Sequence, residues 1–212
     1  VEMSFVDSDD VITVHENMVA RIWKHVLGLD VKLPIRRLTY KQAIEDYGID
    51  RPDLRFEMKL KDISDIARQT TFKVFTSAIE KGGVVKGLCA PAGDKYSRSD
   101  IEKTLTNFVG DYGAKGLAWF KVKQENDATT LIGGLAKFFS PELQQQLLQR
   151  FDAKDGDLLL FVADRRGMCN LALSHLRNEL ARRLGLLQGA GHALCWIVQP
   201  ARQLIAQVRE RQ

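Results

Sequence analysis

The chain has 212 residues, 45% of them apolar, a net charge of +4 and three cysteines. That is enough for one medium domain with a proper core, or for one domain and a piece of another. No apolar run reaches the roughly 18 residues of a membrane span and no signal-peptide pattern opens the chain, so a soluble cytoplasmic protein is expected.

Cys89, Cys169 and Cys195 are odd in number and far apart, which reads as buried or free thiols rather than a disulfide framework. The mild positive charge permits an RNA partner without arguing for one. Residues 1–5 read as the end of an extended segment, so the chain starts inside an element. Ser8, Asp9 or Asp10 then caps a helix whose apolar stripe is Val11, Val14, Met18, Ile22 and Val26, widened by Val19 and Trp23, with Gly28 as its stop. His15 and His25 are ten residues apart, not the four that lets two histidines on a helix share a metal.

Pro34–Leu38 is a short connector or strand. Thr39-x-x-Gln42 is a capping-box pattern that opens a short helix ending at Gly48. The stretch Tyr47-Gly48-Ile49-Asp50-Arg51-Pro52-Asp53-Leu54-Arg55 is an ordered, charged turn, because Pro52 forbids helix there and disfavours it at Arg51. It is either a salt-bridged domain junction or a direct functional contact. A helix is expected around Lys61–Gln69 and a strand at Thr71–Ala78, where β-branched and aromatic residues gather. Glu80–Gly83 then reads as a hairpin turn into a strand at Val84–Ala90, broken by Pro91-Ala92-Gly93.

Ser99-Asp100-Ile101-Glu102 reads as a capping box for a helix that buries Ile101, Leu105, Phe108, Val109 and Tyr112 and ends at Gly113. The strand that follows places Ala118, Phe120 and Val122 on one wholly apolar face, which must be buried. A polar loop is expected at Gln124–Thr130 and a strand at Ile132–Phe139, interrupted by a turn or bulge at Gly133-Gly134. Ser140-Pro141-Glu142 starts a helix with Leu143, Leu147, Leu148 and Phe151 inward. Asp157–Ala163 is an apolar run short enough for a buried strand. The last long helix, about Met168–Leu184, turns Cys169, Leu173, Leu176, Leu180 and Leu184 inward. Its outer face carries Arg177, Arg182 and Arg183, which is either a solvated basic face or a surface for an RNA backbone. This order predicts an α+β fold: a two-layer, mainly antiparallel sheet with helices on one face.

No catalytic apparatus is legible. Ser174 and His175 are neighbours, but adjacent helical residues point apart. Cys169 and His175 lack metal-ligand spacing. No glycine-rich phosphate cradle surrounds Gly133-Gly134.

Several ordered strings carry a resemblance: Glu2-Met3-Ser4-Phe5, the Tyr47–Arg55 stretch, Gly113–Val122, Ala136-Lys137-Phe138, Asp155-Gly156-Asp157 with Leu160–Ala163, and Leu176-Arg177 with Leu184-Gly185-Leu186. From residue 1 to about 198 the chain resembles the bacterial-type aspartyl-tRNA synthetases of class II. The resemblance implies a partial catalytic-domain segment at 1–55, a GAD insertion domain of DCoH-like fold at 56–187, and a divergent tail at 188–212. It also implies ATP, magnesium, aspartate and the aspartate tRNA for the parent enzyme, itself a homodimer. The family's substrate-binding positions have no counterpart in this chain, so the resemblance implies no catalytic, cofactor or metal residue here. Arg177, Arg182 and Arg183 are the candidate tRNA-facing residues. The alternative is a free-standing GAD-like module that binds RNA or protein without chemistry. After Val198 the chain departs from the family's pattern, and Leu204, Ile205 and Val208 suggest an added helix with Arg202, Arg209 and Arg211 exposed.

Overall fold

The computed structural model describes residues 2–125 and 128–198. The helix expected over Leu204, Ile205 and Val208 lies outside the described residues. Helices run α1 Ser8–Leu27, α2 Tyr40–Tyr47, α3 Ser64–Ala67, α4 Lys73–Glu80, α5 Thr106–Asp111, α6 Pro141–Phe151 and α7 Arg166–Arg183. Strands run β1 Arg36–Thr39, β2 Lys61–Asp62, β3 Val84–Ala90, β4 Ala118–Glu125, β5 Ala128–Ile132, β6 Leu158–Asp164 and β7 Cys195–Val198. The chain divides into two compact units. One holds residues up to Thr39 together with the chain from Ala193 onward; the other is Tyr40–His192.

In the first unit β1 and β7 form a parallel pair, with Arg36 opposite Cys195 and Thr39 opposite Val198. Asp7, not one of the three residues after it, caps α1: its carboxylate accepts from the amides of Asp9 and Asp10, and Asp10 answers through the Asp7 amide. The buried Glu16 carboxylate accepts from the Ile35 amide and the Trp196 indole N–H, both at 3.1 Å. The expected apolar stripe faces outward instead. Val14, Met18, Ile22 and Val26, one ridge of residues four apart, are 41–70% exposed.

In the second unit the sheet is five-stranded and wholly antiparallel, in the order β2-β3-β6-β4-β5. β6 lies at its centre because Leu158–Val162 is apolar on both faces and is buried on both. Leu158, Leu160 and Val162 point to one layer with Leu88, Ala90 and the α7 residues Cys169, Leu173, Leu176 and Leu180. Leu159 and Phe161 point to the other with Val85, Phe120, Val122, Phe75 and the α6 residues Leu143, Leu147, Leu148 and Phe151. The antiparallel sheet and its helices are as expected, but the helices cover both faces rather than one. An all-apolar central strand leaves neither face fit for water.

Several local expectations are overturned. Thr71–Ala78 is not a strand: Lys73–Glu80 is helical, because Phe72, Phe75 and Ile79 recur at helical spacing and pack into the second layer. Glu80–Gly83 therefore joins a helix to a strand. Most of Lys61–Gln69 is not helix either; it gives the short edge strand β2 and the single turn α3. The polar stretch at Gln124–Thr130 is mostly strand, with Glu125 opposite Ala128 in the β4–β5 pair. The strand expected at Ile132–Phe139 ends at Ile132, and a 3-10 turn follows over Ala136–Phe138. The cap near Ser99 is shifted too: Ser97 and Asp100 exchange the bonds, and a π-helical turn over Asp100–Leu105 leads into α5.

Phe161 is fully buried, and its ring meets those of Phe75, Phe120 and Phe151 edge-on. Phe161→Ala should cost about 3–5 kcal/mol of unfolding free energy. Val74→Ala, at a residue 59% exposed on α4, should stay within about 0.5 kcal/mol. Urea midpoints of the two variants check this; equal shifts would mean that the second layer is not a packed core.

Candidate functional site

The charged turn after α2 is bound to α7 by a buried arginine. Gly48 adopts φ +77°, and a Cβ there would lie 2.4 Å from the Asn170 carbonyl oxygen of α7, so only glycine fits. The chain then runs through the buried Pro52 to Lys59. Arg177 is 2% exposed. Its Nε donates to the Met58 carbonyl at 3.0 Å, and its Nη2 to the carbonyls of Phe56 and Glu57 at 2.8 and 3.1 Å. The guanidinium also stacks 3.9 Å from the Phe56 ring centre and 4.9 Å from that of Tyr47. Burial pulls its pKa down to about 10, so it stays charged at neutral pH. Arg177 is therefore buried and not on the outer basic face expected of it. It lies on a second buried stripe of α7, Asn170, Ser174, Arg177 and Ala181, beside the apolar one.

Two further polar clusters fix this segment. Lys86, 1% exposed in mid-strand on β3, donates to the Glu45 carbonyl, the Glu45 carboxylate and Asn170 Oδ1 at 3.0, 3.2 and 2.8 Å. Arg166 bridges Glu45 and Asp62 from the start of α7. Arg55 grips Asp53 with two nitrogens, and its hydrogen bond holds the Asp53 carboxyl below the usual carboxylate range. The salt-bridged character expected of the Tyr47–Arg55 turn is thus present. The implied boundary at residue 55 falls inside the second compact unit.

Arg182 and Arg183 share one carboxylate. Glu179 accepts from Arg182 at 2.8 Å and from Arg183 at 2.5 Å. Burial pushes the Glu179 carboxyl up, but the bonds from Arg183 and Arg182 outweigh it and leave the group below its ordinary value. Two of the three candidate arginines are therefore partly neutralised where they stand.

None of the three cysteines, nor Ser174, is poised as a nucleophile. Burial pushes the Cys89 thiol far up, that of Cys169 to about 11, and that of Cys195 up as well. Ser174 Oγ donates to the Leu171 carbonyl, while His175 stacks flat on Tyr112 at 4.0 Å. Among the described residues no group of three or more His, Cys, Asp or Glu could hold a metal, and no helix is long and apolar enough to cross a membrane.

Two hollows meet where β4 begins. One, of about 440 Å³, is a slot lined chiefly by Phe72, Val74, Phe75, Leu117, Trp119 and Leu135. The other, about 570 Å³, shares Val74, Lys115 and Ala163 with it and is lined at its far side by Lys81, Asp164 and Arg165. The sequence did not show them, because their walls come from stretches far apart along the chain.

An antiparallel sheet with an apolar central strand, sealed by helices on both faces, defines a two-sided α+β domain. Residues 75–173 match the GAD domain family, so the second unit carries a GAD domain. The chain is 46% identical over 198 residues to the aspartate–tRNA ligase of Macrococcus caseolyticus, a match covering 93% of this chain and 33% of that protein. It is 45% identical over 199 residues to the aspartate–tRNA(Asp/Asn) ligase of Desulfatibacillum aliphaticivorans, covering 94% and 33%, and 45% over 188 residues to the aspartate–tRNA ligase of Clostridium perfringens, covering 89% and 31%. The chain thus corresponds to about a third of the length of bacterial aspartate–tRNA ligases, the third that carries the GAD domain.

Burial separates the arginines of α7 by consequence. Arg177→Ala strands three carbonyls and empties the space between two rings, and should cost about 3 kcal/mol or more. Arg182→Ala, at an exposed pair, should cost about 0.5 kcal/mol or less. Urea unfolding distinguishes them; a harmless Arg177→Ala would return that residue to the surface.

Proposed function

We propose that this chain is a portion of an aspartate–tRNA ligase, the enzyme type that joins aspartate to its tRNA with ATP, and that it performs no such chemistry alone. The supporting observation is an identity of about 45% over nearly the whole chain against one third of each relative. In this reading residues 1–55 are catalytic-domain scaffold, 56–187 the GAD insertion and 188–212 a divergent tail. The whole enzyme is a cytoplasmic homodimer that takes ATP, magnesium, aspartate and the aspartate tRNA. The described residues do not fit a magnesium site of their own, so no step is assigned to the metal here.

The first unit favours this reading over a free-standing module. A two-stranded parallel pair is narrower than parallel sheets normally are, and the α1 ridge of Val14, Met18, Ile22 and Val26 stands in water. Such a ridge is the kind of face that further polypeptide covers. Arg182 and Arg183 would give at most weak contact to an RNA backbone, since Glu179 already holds both.

Adenylate formation needs cations placed around the α-phosphate, and losing one such contact typically costs on the order of 10²-fold in rate. This chain has no counterpart to the whole set. The purified chain should show no aspartate-dependent exchange of pyrophosphate into ATP. A chimera in which it replaces the matching third of the Macrococcus caseolyticus enzyme should show exchange. Exchange by the chain alone, or a folded but inert chimera, would sink the reading.

A further inference from the structure

The two hollows at the start of β4 combine features that nothing above uses. The slot is apolar and aromatic, yet it opens to solvent: Val74 on its rim is 59% exposed. The adjoining hollow carries Lys81, Lys115 and Arg165, all exposed, the Lys115 side chain at 89%. Two carboxylates lie near them, and both are engaged. Asp164, mostly buried, accepts from the Arg165 amide at 2.7 Å and lies 4.0 Å from Lys115. Glu102 pairs with Arg98 at 2.8 Å. Three cations thus edge an apolar, aromatic slot.

We propose that this groove binds single-stranded RNA, with a base in the slot against Phe72 and the neighbouring phosphates at Lys81, Lys115 and Arg165. The proposal rests on the reading that the chain works on RNA. Aromatic side chains beside a cationic track are what a single strand needs: every base has a π-face to stack, and every phosphate a charge to neutralise. An extended peptide fits less well. β5 ends at Ile132, opposite Lys121, and leaves the start of β4 unpaired on that side, but Gly133 fills the space: a Cβ there would lie 3.1 Å from the Trp119 carbonyl oxygen. A further strand has no room to pair.

The test uses the full chain and a labelled ten-nucleotide oligo(A), read by fluorescence anisotropy across a salt series. Lys81→Glu, Lys115→Glu and Arg165→Glu together, all at exposed positions, should weaken binding by roughly tenfold or more and lower the slope of log affinity against log salt by about 2, the loss of the three phosphate contacts. Phe72→Leu should weaken binding but leave the salt slope intact, since stacking releases no counterions. Unchanged melting of the triple variant by circular dichroism shows that the fold survives. Wild-type affinity in the triple variant would overturn the proposal. So would a loss that follows Arg182→Glu and Arg183→Glu instead, which would move RNA to the end of α7. Displacement of the oligonucleotide by an acidic peptide that binds more tightly would overturn it in favour of a protein partner. An active chimera together with wild-type RNA binding by the triple variant would remove the groove and leave the ligase reading standing.

Discussion

The second unit depends on one strand that tolerates water on neither face. Leu158–Val162 is apolar at every position, so β6 must have neighbours on both edges and cover on both faces. β3 and β4 supply the edges, pairing Leu160 with Leu88 on one side and Trp119 on the other. α7 and the α5 segment cover one face; α3, α4 and α6 cover the other. Even Gly87 follows from this strand: a Cβ there would come within 2.4 Å of the Phe161 ring, so β3 gives up a side chain to let β6 pack.

Two of the buried polar groups in this core, Lys86 and Arg177, tie distant segments together. Lys86 sits where a central strand would ordinarily place an apolar residue. Its ammonium is kept by three oxygens from α2 and α7. Arg177 does the same for Phe56–Met58. Burying a charge with its hydrogen bonds made is weak evidence of net stability, but removing one partner is costly. These groups therefore say less about how stable the unit is than about which arrangement of α2 and its turn is allowed.

What the sequence revealed follows from periodicity, and so does what it hid. The alternation in Ala118–Val122 and the short apolar run at β6 each have one reading, and both strands are where that reading puts them. Lys73–Glu80 has two readings, because Val74, Phe75 and Ile79 suit a strand by composition and a helix by spacing; packing of Phe75 decided it. α7 misled differently. Its polar stripe Asn170, Ser174, Arg177 and Ala181 is buried beside the apolar one, so the rule that charged residues face water misplaced Arg177. The parallel run of small and polar residues at spacings of four, three and four was the available signal. α1 shows the converse, since its stripe is helical as read and still lacks cover in this unit. The family resemblance rested on letter strings, which periodicity does not read, and the groove at β4 rests on neither.

The basic residues of α7 and its surroundings make a final point about charge. A net charge of +4 is an average over side chains in very different circumstances. Arg177 is spent on backbone carbonyls, and Arg182 and Arg183 on one carboxylate. Arg166 is spent on Glu45 and Asp62. What a polyanion would meet is not the sum but the remainder, and a helix wheel counts all of these arginines alike. Lys81, Lys115 and Arg165 come from three separate segments and form no motif. They are nonetheless exposed together, around a hollow that adjoins an aromatic slot. Attraction to a phosphate backbone follows from the charges that can release its counterions. By that criterion the start of β4, where among the described residues Lys115 alone of the three is loosely paired, to Asp164, offers a polyanion more than Arg182 and Arg183 do.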